Sequence, residues 1–299
     1  MKPFFIGLFE WREMMNSALY KQNDQYIPRI AAVHDICGYG KCSLTVAIPV
    51  LSAAGCDVCP VPTALFSSHT LYKDFEMLDT TDFLWKYLEA WKKINVDIDG
   101  IYSGFLGSAE QVEIIKSLYN TYNKALRLVD PVMGDSGKMY PTYTQELCDA
   151  TKSLVDGADL LLPNLTEASI LTGIDYTGQA LSDDEVKKYM DKLLEMGAKA
   201  VIIKGITRGE DIVNFVQTTS SELEQAAYKA HDYYLHGTGD LYASSAISAV
   251  MNGKSVVEAA QFAAELVYDA MDQTKYQPEY QLRGVSFEKS LHKITSLIK

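Results

Sequence analysis

A Gly-Thr-Gly-Asp turn at residues 237–240 joins an extended stretch, residues 233–236, to a helical one, residues 241–250. Two glycines let the backbone turn sharply, so that several N–H groups point at one place. The positive end of the following helix makes that place an anion site. A carboxylate beside it suits a base for a hydroxyl that attacks the bound anion, as phosphoryl transfer to an alcohol requires. The four residues alone leave open the alternative that Asp240 only interacts with the helix dipole.

Several polar side chains directly follow predicted strands, where open parallel sheets bind their ligands. These side chains are His34, Asp35, Ser103, Asp130, Asn164 and Lys204. Asp130 and Asp135 bracket a tight turn and suit a hard cation or its bound water, although an Asx-type turn would use the same residues. Lys204 follows four apolar residues, and we expect a lysine in that position to contact a phosphate.

The segment Pro163-Asn164-Leu165-Thr166-Glu167 opens a predicted helix and supports two interpretations of similar weight. As structure, Asn164 caps the helix and Glu167, three residues later, completes a capping box. As function, Glu167 lies near a magnesium-bound water and Asn164 near a phosphate. Residues 136–140, which precede this segment, are predicted to form a mobile loop that covers a site. His69 and His236 are more typical of hydrogen-bonded structural histidines.

Residues 35–43, Asp-Ile-Cys-Gly-Tyr-Gly-Lys-Cys-Ser, fit neither common glycine-rich nucleotide motif. A P-loop requires Gly at the position of Asp35 and Ser or Thr at that of Cys42. A dinucleotide fingerprint requires a third Gly at the position of Ser43. We therefore interpret the segment as a flexible strand-to-helix turn that can approach a ligand closely.

Composition and charge argue against several classes of protein. The 299 residues are 47% hydrophobic, enough for a large core, and the formal charge of −12 argues against nucleic-acid binding. No apolar run reaches the length of a membrane span, and the first residues lack the pattern of a signal peptide. The odd count of five cysteines is typical of reduced thiols in the cytoplasm, and Cys56 and Cys59 lack partners at zinc spacing. Residues 1–27 are predicted to be an N-terminal appendage.

Short apolar runs alternate with longer helical patterns, which is typical of a parallel sheet with helices on both faces. The predicted strands are residues 30–33, 57–61, 100–102, 126–129, 160–162 and 200–203, followed by an antiparallel pair at 212–217 and 224–229. The predicted helices are residues 43–54, 109–122, 183–196, 241–250 and 256–271. No internal repeat or linker appears, so one α/β domain of about nine strands is the simplest prediction.

Taken in this order, five segments resemble the ribokinase-like superfamily and, within it, the pyridoxal kinases. The segments are Pro62–Thr70, Ser103–Ser108, Asp130–Asp135, Pro163–Glu167 and Gly237–Asp240. The resemblance implies a three-layer α/β/α sandwich with a mostly parallel central sheet, formed by one kinase domain at residues 28–299. It also implies a cytoplasmic homodimer that phosphorylates the 5′-hydroxymethyl group of pyridoxal, pyridoxamine or pyridoxine with ATP, in vitamin B6 salvage.

The resemblance also implies a role for each site residue. The catalytic group comprises Asp240 as the base and the amides of Gly237, Thr238 and Gly239 as donors to the transferred γ-phosphoryl group. Asp135 and Glu167 would serve Mg²⁺, Asp130 a monovalent cation such as K⁺, and Asn164, Glu167 and Lys204 the ATP site. The pyridine pocket would be lined by His34, Asp35, Thr63, Phe105 and Tyr140. Lys204 stands where some relatives carry a hydroxyl residue.

Three alternative functions compete with this interpretation. A hydroxymethylpyrimidine kinase of thiamine synthesis shares the fold and the anion turn, and Asp35 resembles that family as well. A sugar kinase is disfavoured because the segment Phe66–Thr70 does not suit one. A protein that only stores the phosphorylated vitamer would need no proton acceptor at Asp240.

Overall fold

The structure is a computed structural model that describes residues 18–23 and 25–298. Most of the appendage predicted for residues 1–27, namely 1–17 and 24, lies outside the described residues. The described strands are β1 (Arg29–Tyr39), β2 (Asp57–Ser68), β3 (Met77–Asp79), β4 (Gly100–Ser103), β5 (Leu126–Val129), β6 (Gly134–Asp135), β7 (Lys138–Met139), β8 (Leu160–Leu161), β9 (Ala200–Arg208), β10 (Asp211–Thr218) and β11 (Glu224–Lys229).

The described α-helices alternate with these strands along most of the chain. They are α1 (Leu44–Ala53), α2 (Thr81–Lys93), α3 (Ala109–Thr121), α4 (Gln145–Lys152), α5 (Leu165–Thr172), α6 (Asp183–Glu195), α7 (Thr238–Met251), α8 (Val256–Thr274), α9 (Tyr280–Arg283) and α10 (Leu291–Ile294). Helices α1, α3 and α6 connect successive strands across the sheet, which is the connection that parallel strands require.

A nine-stranded sheet orders its strands β11-β10-β9-β8-β5-β4-β1-β2-β3. The six strands from β9 to β2 pair in parallel, whereas β10, β11 and β3 run antiparallel at the two edges. The hairpin of β6 and β7 forms a separate two-stranded sheet. The prediction of an α/β fold with a mostly parallel sheet is confirmed, as is the antiparallel pair near residues 212–229.

Two hydrophobic cores lie on opposite faces of this sheet. Because successive strand residues point to opposite faces, Ile101 joins the core under α2–α6 and Tyr102 joins the core under α1, α7 and α8. Leu128 and Val129 of β5 divide between the two cores in the same way. Helix α7 is buried from Leu241 to Met251, so the residues at its first turn are held by a rigid element.

Strands β1, β2 and β9 extend further than predicted. Strand β1 continues past Val33 through a bulge between His34 and Ile36, because its parallel partner β2 is equally long. His34 and Asp35 therefore lie within a strand rather than after it, and that part of the prediction was wrong. Lys204 lies within β9 for the same reason, since β9 goes on to pair with β10.

The loop predicted at residues 136–140 is instead part of the β6–β7 hairpin. Ser136 and Gly137 at its tip both have positive φ angles, 52° and 77°, as a tight two-residue hairpin turn requires. The polar segment at residues 66–70 also begins inside β2 rather than in a loop. Among the described residues, no helix has the length and apolar character that crossing a membrane would demand.

Candidate active site

A cavity of about 320 Å³ opens at the carboxyl ends of β5, β8 and β9, in front of the first turn of α7. Most of the predicted site residues line it. They are Asp130, Asp135, Tyr140, Asn164, Glu167, Lys204, Gly237, Thr238, Gly239 and Asp240. Parallel strand order explains this gathering, because the ends of neighbouring strands meet at one edge of the sheet.

The turn before α7 has the geometry of an anion site. Gly237 adopts a left-handed conformation with φ of 77°, and a Cβ atom added to it would lie 2.0 Å from the carbonyl oxygen of Lys41. Within the described part of the chain no side chain caps the helix, and the Thr238 hydroxyl donates instead to the Leu235 carbonyl at 2.9 Å. The first N–H groups of a helix have no partner within it, so those of this turn are available to a bound anion.

Asp240 lies in that first turn and is half-buried at the cavity wall. Burial raises the pKa of its carboxyl to about 7, and the charge of Asp130 contributes to the rise. A backbone hydrogen bond from Ser43 and the charge of Lys204 act in the opposite direction. A carboxyl with a pKa near neutrality is suited to accept a proton at physiological pH.

An ion pair between Lys204 and Asp130 forms the floor of the cavity. Both side chains are buried, and the Lys204 ammonium donates to Oδ1 of Asp130. Burial opposes the charge on Lys204, but the carboxylates of Asp130 and Glu167 outweigh this and raise the pKa of Lys204 above its usual value. Lys204 is therefore a fixed positive charge beside the anion turn.

Asn164 and Glu167 form the capping box that one interpretation predicted. The Asn164 side chain accepts from the Glu167 amide at 2.9 Å, and the Glu167 carboxylate accepts from the Asn164 amide at 2.7 Å. The other Asn164 side-chain atom donates to the Gly134 carbonyl at 2.8 Å, and Glu167 also accepts from the Met133 amide at 3.3 Å. These bonds tie the start of α5 to the β6–β7 hairpin. Their predicted contacts with a phosphate and with a magnesium-bound water stay predictions.

Four of the residues predicted to line the pyridine pocket lie outside the cavity lining. His34 is fully buried, and neither ring nitrogen has a hydrogen-bond partner among residues 18–23 and 25–298. Burial, followed by the charge of Lys204, lowers its pKa to about 3. Asp35 is buried and accepts from the Ser43 hydroxyl, and burial raises its pKa to about 6. The buried Thr63 hydroxyl donates to the carbonyl of half-buried Phe105 at 2.9 Å.

An aromatic wall at the other end of the cavity was not predicted. The ring of His231 stacks on Tyr268 with centroids 4.5 Å apart, and Tyr228 contacts Tyr268 at 4.7 Å. Val267 and Met271 of α8 extend the apolar surface beside these rings. Flat apolar walls of this kind suit the base of a nucleotide. The amphipathic pattern of α8 was visible in the sequence, but the contribution of β11 depends on the antiparallel edge of the sheet.

His236 and His69 meet at the mouth of the cavity. Their rings lie 4.8 Å apart, and His236 lines the cavity directly before Gly237. Burial and the neighbouring His236 lower the pKa of His69 to about 4, and burial lowers that of His236 as well. These shifts favour the neutral form of both imidazoles.

Comparison with known proteins places this geometry among small-molecule kinases. The sequence model of the phosphomethylpyrimidine kinase family matches residues 47–283. The pyridoxal kinase PdxY of Pasteurella multocida is 30% identical over 269 residues, which cover 85% of this chain and 91% of the relative. The hydroxymethylpyrimidine/phosphomethylpyrimidine kinase of Bacillus subtilis is 28% identical over 180 residues, which cover 59% of this chain and 64% of that protein.

A solved structure gives a close structural match. It is a candidate phosphomethylpyrimidine kinase of Bacteroides thetaiotaomicron, crystallised with pyridoxal, and it is 33% identical to this chain with a TM-score of 0.85. The match covers 90% of this chain and 96% of that one.

Proposed function

The chain belongs to the phosphomethylpyrimidine kinase family of ribokinase-like kinases, and we propose that it transfers the γ-phosphoryl group of ATP to the 5′-hydroxymethyl group of a vitamin B6 vitamer. The observation that carries the proposal is Asp240, which faces the cavity from the first turn of α7 beside the Gly237–Gly239 anion turn. Phosphoryl transfer to an alcohol needs a proton acceptor and donors for the transferred group at one place.

The proposed mechanism uses groups that the fold holds in position. The Asp240 carboxylate takes the proton of the vitamer hydroxyl as that oxygen forms a bond to the γ-phosphorus. The bond from the γ-phosphorus to the β–γ bridging oxygen breaks, and ADP is the leaving group. The N–H groups at the start of α7 donate to the phosphoryl oxygens in flight, and the Lys204 ammonium neutralises charge beside them. Tyr140, on the hairpin side of the cavity, would contact the vitamer ring.

The cavity offers a carboxylate that fits Mg²⁺ as it is held in nucleotide sites. Asp135 is exposed at the cavity edge, with one oxygen accepting from the Ser136 amide at 2.7 Å. Mg²⁺ in nucleotide sites commonly takes one or two carboxylates and completes its shell with phosphates and water. Asp135 would be the direct ligand, and Glu167, whose oxygens already accept backbone N–H groups, would contact a bound water. When bound, the ion would offset the negative charge of the β- and γ-phosphates.

Two observations favour a B6 vitamer over a pyrimidine alcohol as the acceptor. The segments Phe66–Thr70 and Ser103–Ser108 resemble those of pyridoxal kinases. The PdxY relative also covers more of the chain at a similar identity than the Bacillus subtilis pyrimidine kinase does. Hydroxymethylpyrimidine phosphorylation remains the second candidate, because the Bacillus subtilis relative carries the name of a hydroxymethylpyrimidine/phosphomethylpyrimidine kinase. The single domain at residues 28–299, the cytoplasmic location and the homodimer stay predictions.

A panel of acceptors tests the substrate directly. We expect pyridoxal, pyridoxamine or pyridoxine to support ADP release from magnesium-ATP with a higher kcat/KM than 4-amino-5-hydroxymethyl-2-methylpyrimidine. The measurement is ADP release coupled to a reporter reaction, with mass spectrometry of the phosphorylated product. A higher kcat/KM for the pyrimidine would replace the proposed function with the second candidate. Bound vitamer with no ADP release would indicate storage of the vitamer.

The pH dependence of the reaction follows from the raised pKa of Asp240. A base must be deprotonated to accept a proton, so kcat/KM should fall as the pH drops below about 7, by about tenfold per pH unit. The measurement is kcat/KM against pH in buffers of constant ionic strength. A carboxyl with an ordinary pKa near 4 would keep kcat/KM constant down to about pH 5, which would contradict the assignment of Asp240 as the base.

A further inference from the structure

The backbone hydrogen bonds around Lys204 set the position of this residue and the direction of its side chain. Its amide donates to the Pro163 carbonyl at 2.9 Å, in the bridge that continues the pairing of β8 and β9. The next residue, Gly205, has φ of 78° and donates its amide to the side-chain oxygen of Asn214 at 3.0 Å, so the backbone is held in place directly after Lys204. The Lys204 side chain is thereby directed at Asp130.

The ammonium of Lys204 also borders the anion turn. A Cβ atom added to Gly239 would lie 4.0 Å from Nζ of Lys204 and 3.8 Å from its Cε. Asp130 is the one hydrogen-bond acceptor of this ammonium among the residues that the structure describes. An ammonium group has three N–H donors, so two of them remain for oxygens of a bound phosphate.

The sequence resemblance implied a monovalent cation at Asp130, and the described residues do not fit one. K⁺ needs several oxygen ligands, and Oδ1 of the buried Asp130 already accepts from Lys204. A second positive charge beside a buried ammonium would be repelled strongly, because charges interact more strongly where water is excluded. The carboxylate that would hold the ion is thus already paired with a cation that belongs to the chain.

We propose that the Lys204 ammonium replaces the monovalent cation in this kinase, so that phosphoryl transfer does not depend on K⁺. One N–H of Lys204 stays on Asp130, and the other two donate to phosphate oxygens beside the anion turn. The inference rests on the proposed kinase function and adds to it the identity of the cation at this site.

The first test omits alkali metal ions from the assay of the wild-type protein. ATP is supplied as its tetramethylammonium salt with magnesium chloride, and tetramethylammonium chloride is exchanged for potassium chloride. We expect turnover to change by less than about twofold, because Lys204 already supplies the positive charge at this site. The exchange of salts keeps the ionic strength and its screening constant. An increase of more than about tenfold with K⁺ would overturn the inference, because a gain of that size matches the loss of a charge-assisted contact.

The second test removes the Lys204 ammonium, so that activity should then depend on an added monovalent cation. Lys204→Met should lower kcat/KM by about ten- to a hundredfold in the absence of K⁺, the range for one charge-assisted hydrogen bond. K⁺ or NH₄⁺ should then raise the activity of this variant by about tenfold or more, up to the size of that loss. Full activity without K⁺, or no response to either ion, would contradict the inference.

A matched control uses the lysine just before the same strand. Lys199 is exposed, pairs with Asp159 and lies at the opposite end of β9 from the cavity. Lys199→Met should keep wild-type activity and show no response to K⁺. A response to K⁺ like that of Lys204→Met would show a general effect of the ion and would overturn the inference.

A binding experiment separates this inference from the proposed function. Thermal stabilisation of the wild-type protein by magnesium-ADP should be equal with and without K⁺, whatever the acceptor substrate is. Failure of every acceptor would contradict the proposed function, and this measurement would still test the inference. An ADP affinity that rises with K⁺ in the wild-type protein would contradict the inference alone.

Discussion

Asp240→Asn should lower kcat by about 10²- to 10⁴-fold, the usual contribution of a positioned general base. Asparagine keeps nearly the same shape at the first turn of α7 but cannot accept the proton of the attacking hydroxyl. Magnesium-ATP and the vitamer should still bind with affinities close to those of the wild-type protein, because the anion turn and Lys204 are unchanged. The measurements are steady-state kinetics and calorimetric titration of each ligand.

Two further properties of Asp240→Asn distinguish the loss of a catalytic base from damage to the folded structure. The fall of activity below about pH 7 should disappear from its residual activity, because that limb belongs to the Asp240 carboxyl. Its melting temperature should not fall, since the substitution removes a carboxyl whose charged form burial disfavours. Near-normal turnover in Asp240→Asn would remove the residue from the mechanism and leave it as a helix-dipole partner.

Gly237→Ala should lower kcat by about 10²- to 10³-fold, the loss found when a donor to a transition-state anion is displaced. The added Cβ atom would lie 2.0 Å from the carbonyl oxygen of Lys41, so the turn has to move and its N–H groups no longer point at one place. An L-residue at φ of 77° also costs about 1–2 kcal/mol of backbone strain. Kinetics and thermal unfolding together measure both effects.

Gly209→Ala is the matched control for that substitution. Gly209 has φ of 63° in the turn between β9 and β10, and an added Cβ atom would meet nothing within 4 Å. It therefore carries the backbone strain without the clash. We expect Gly209→Ala to lower the melting temperature but to keep the wild-type kcat. Equal kinetic losses in both variants would show that general destabilisation, and not the anion turn, explains the effect.

The sequence was sufficient to predict the architecture and most of the cavity lining, because both follow from strand order. Apolar runs identified the six parallel strands, and β5 was predicted with the observed ends at Leu126 and Val129. Once those strands are parallel, Asp130, Asn164 and Lys204 must meet at one edge of the sheet. Gly237 marked the turn before α7, because few other residues tolerate its φ of 77°.

The remaining features depend on contacts between distant parts of the chain. Strand β1 extends through His34 and Asp35 because β2 pairs with it beyond the apolar run, and local polarity concealed this. The short strand β3 was missed because it is stabilised mainly by its pairing with β2. Helix α2 was missed as well, although Leu84 and Leu88 recur at helical spacing. The ion pair of Lys204 with Asp130 joins residues 74 positions apart, and no local pattern predicts which carboxylate a lysine meets.

The reacting groups and the groups that would contact the vitamer ring lie on elements of different rigidity. Asp240 belongs to α7, which is buried from Leu241 onward, whereas Tyr140 directly follows the exposed β6–β7 hairpin. The hairpin contacts α5 through single hydrogen bonds, such as that from the Gly137 amide to Thr166 at 2.8 Å. If Tyr140 contacts the acceptor ring as proposed, substitutions at this one residue should change acceptor preference and leave Asp240 and the anion turn in place. A change of acceptor would then not require a change in the residues that transfer the phosphoryl group.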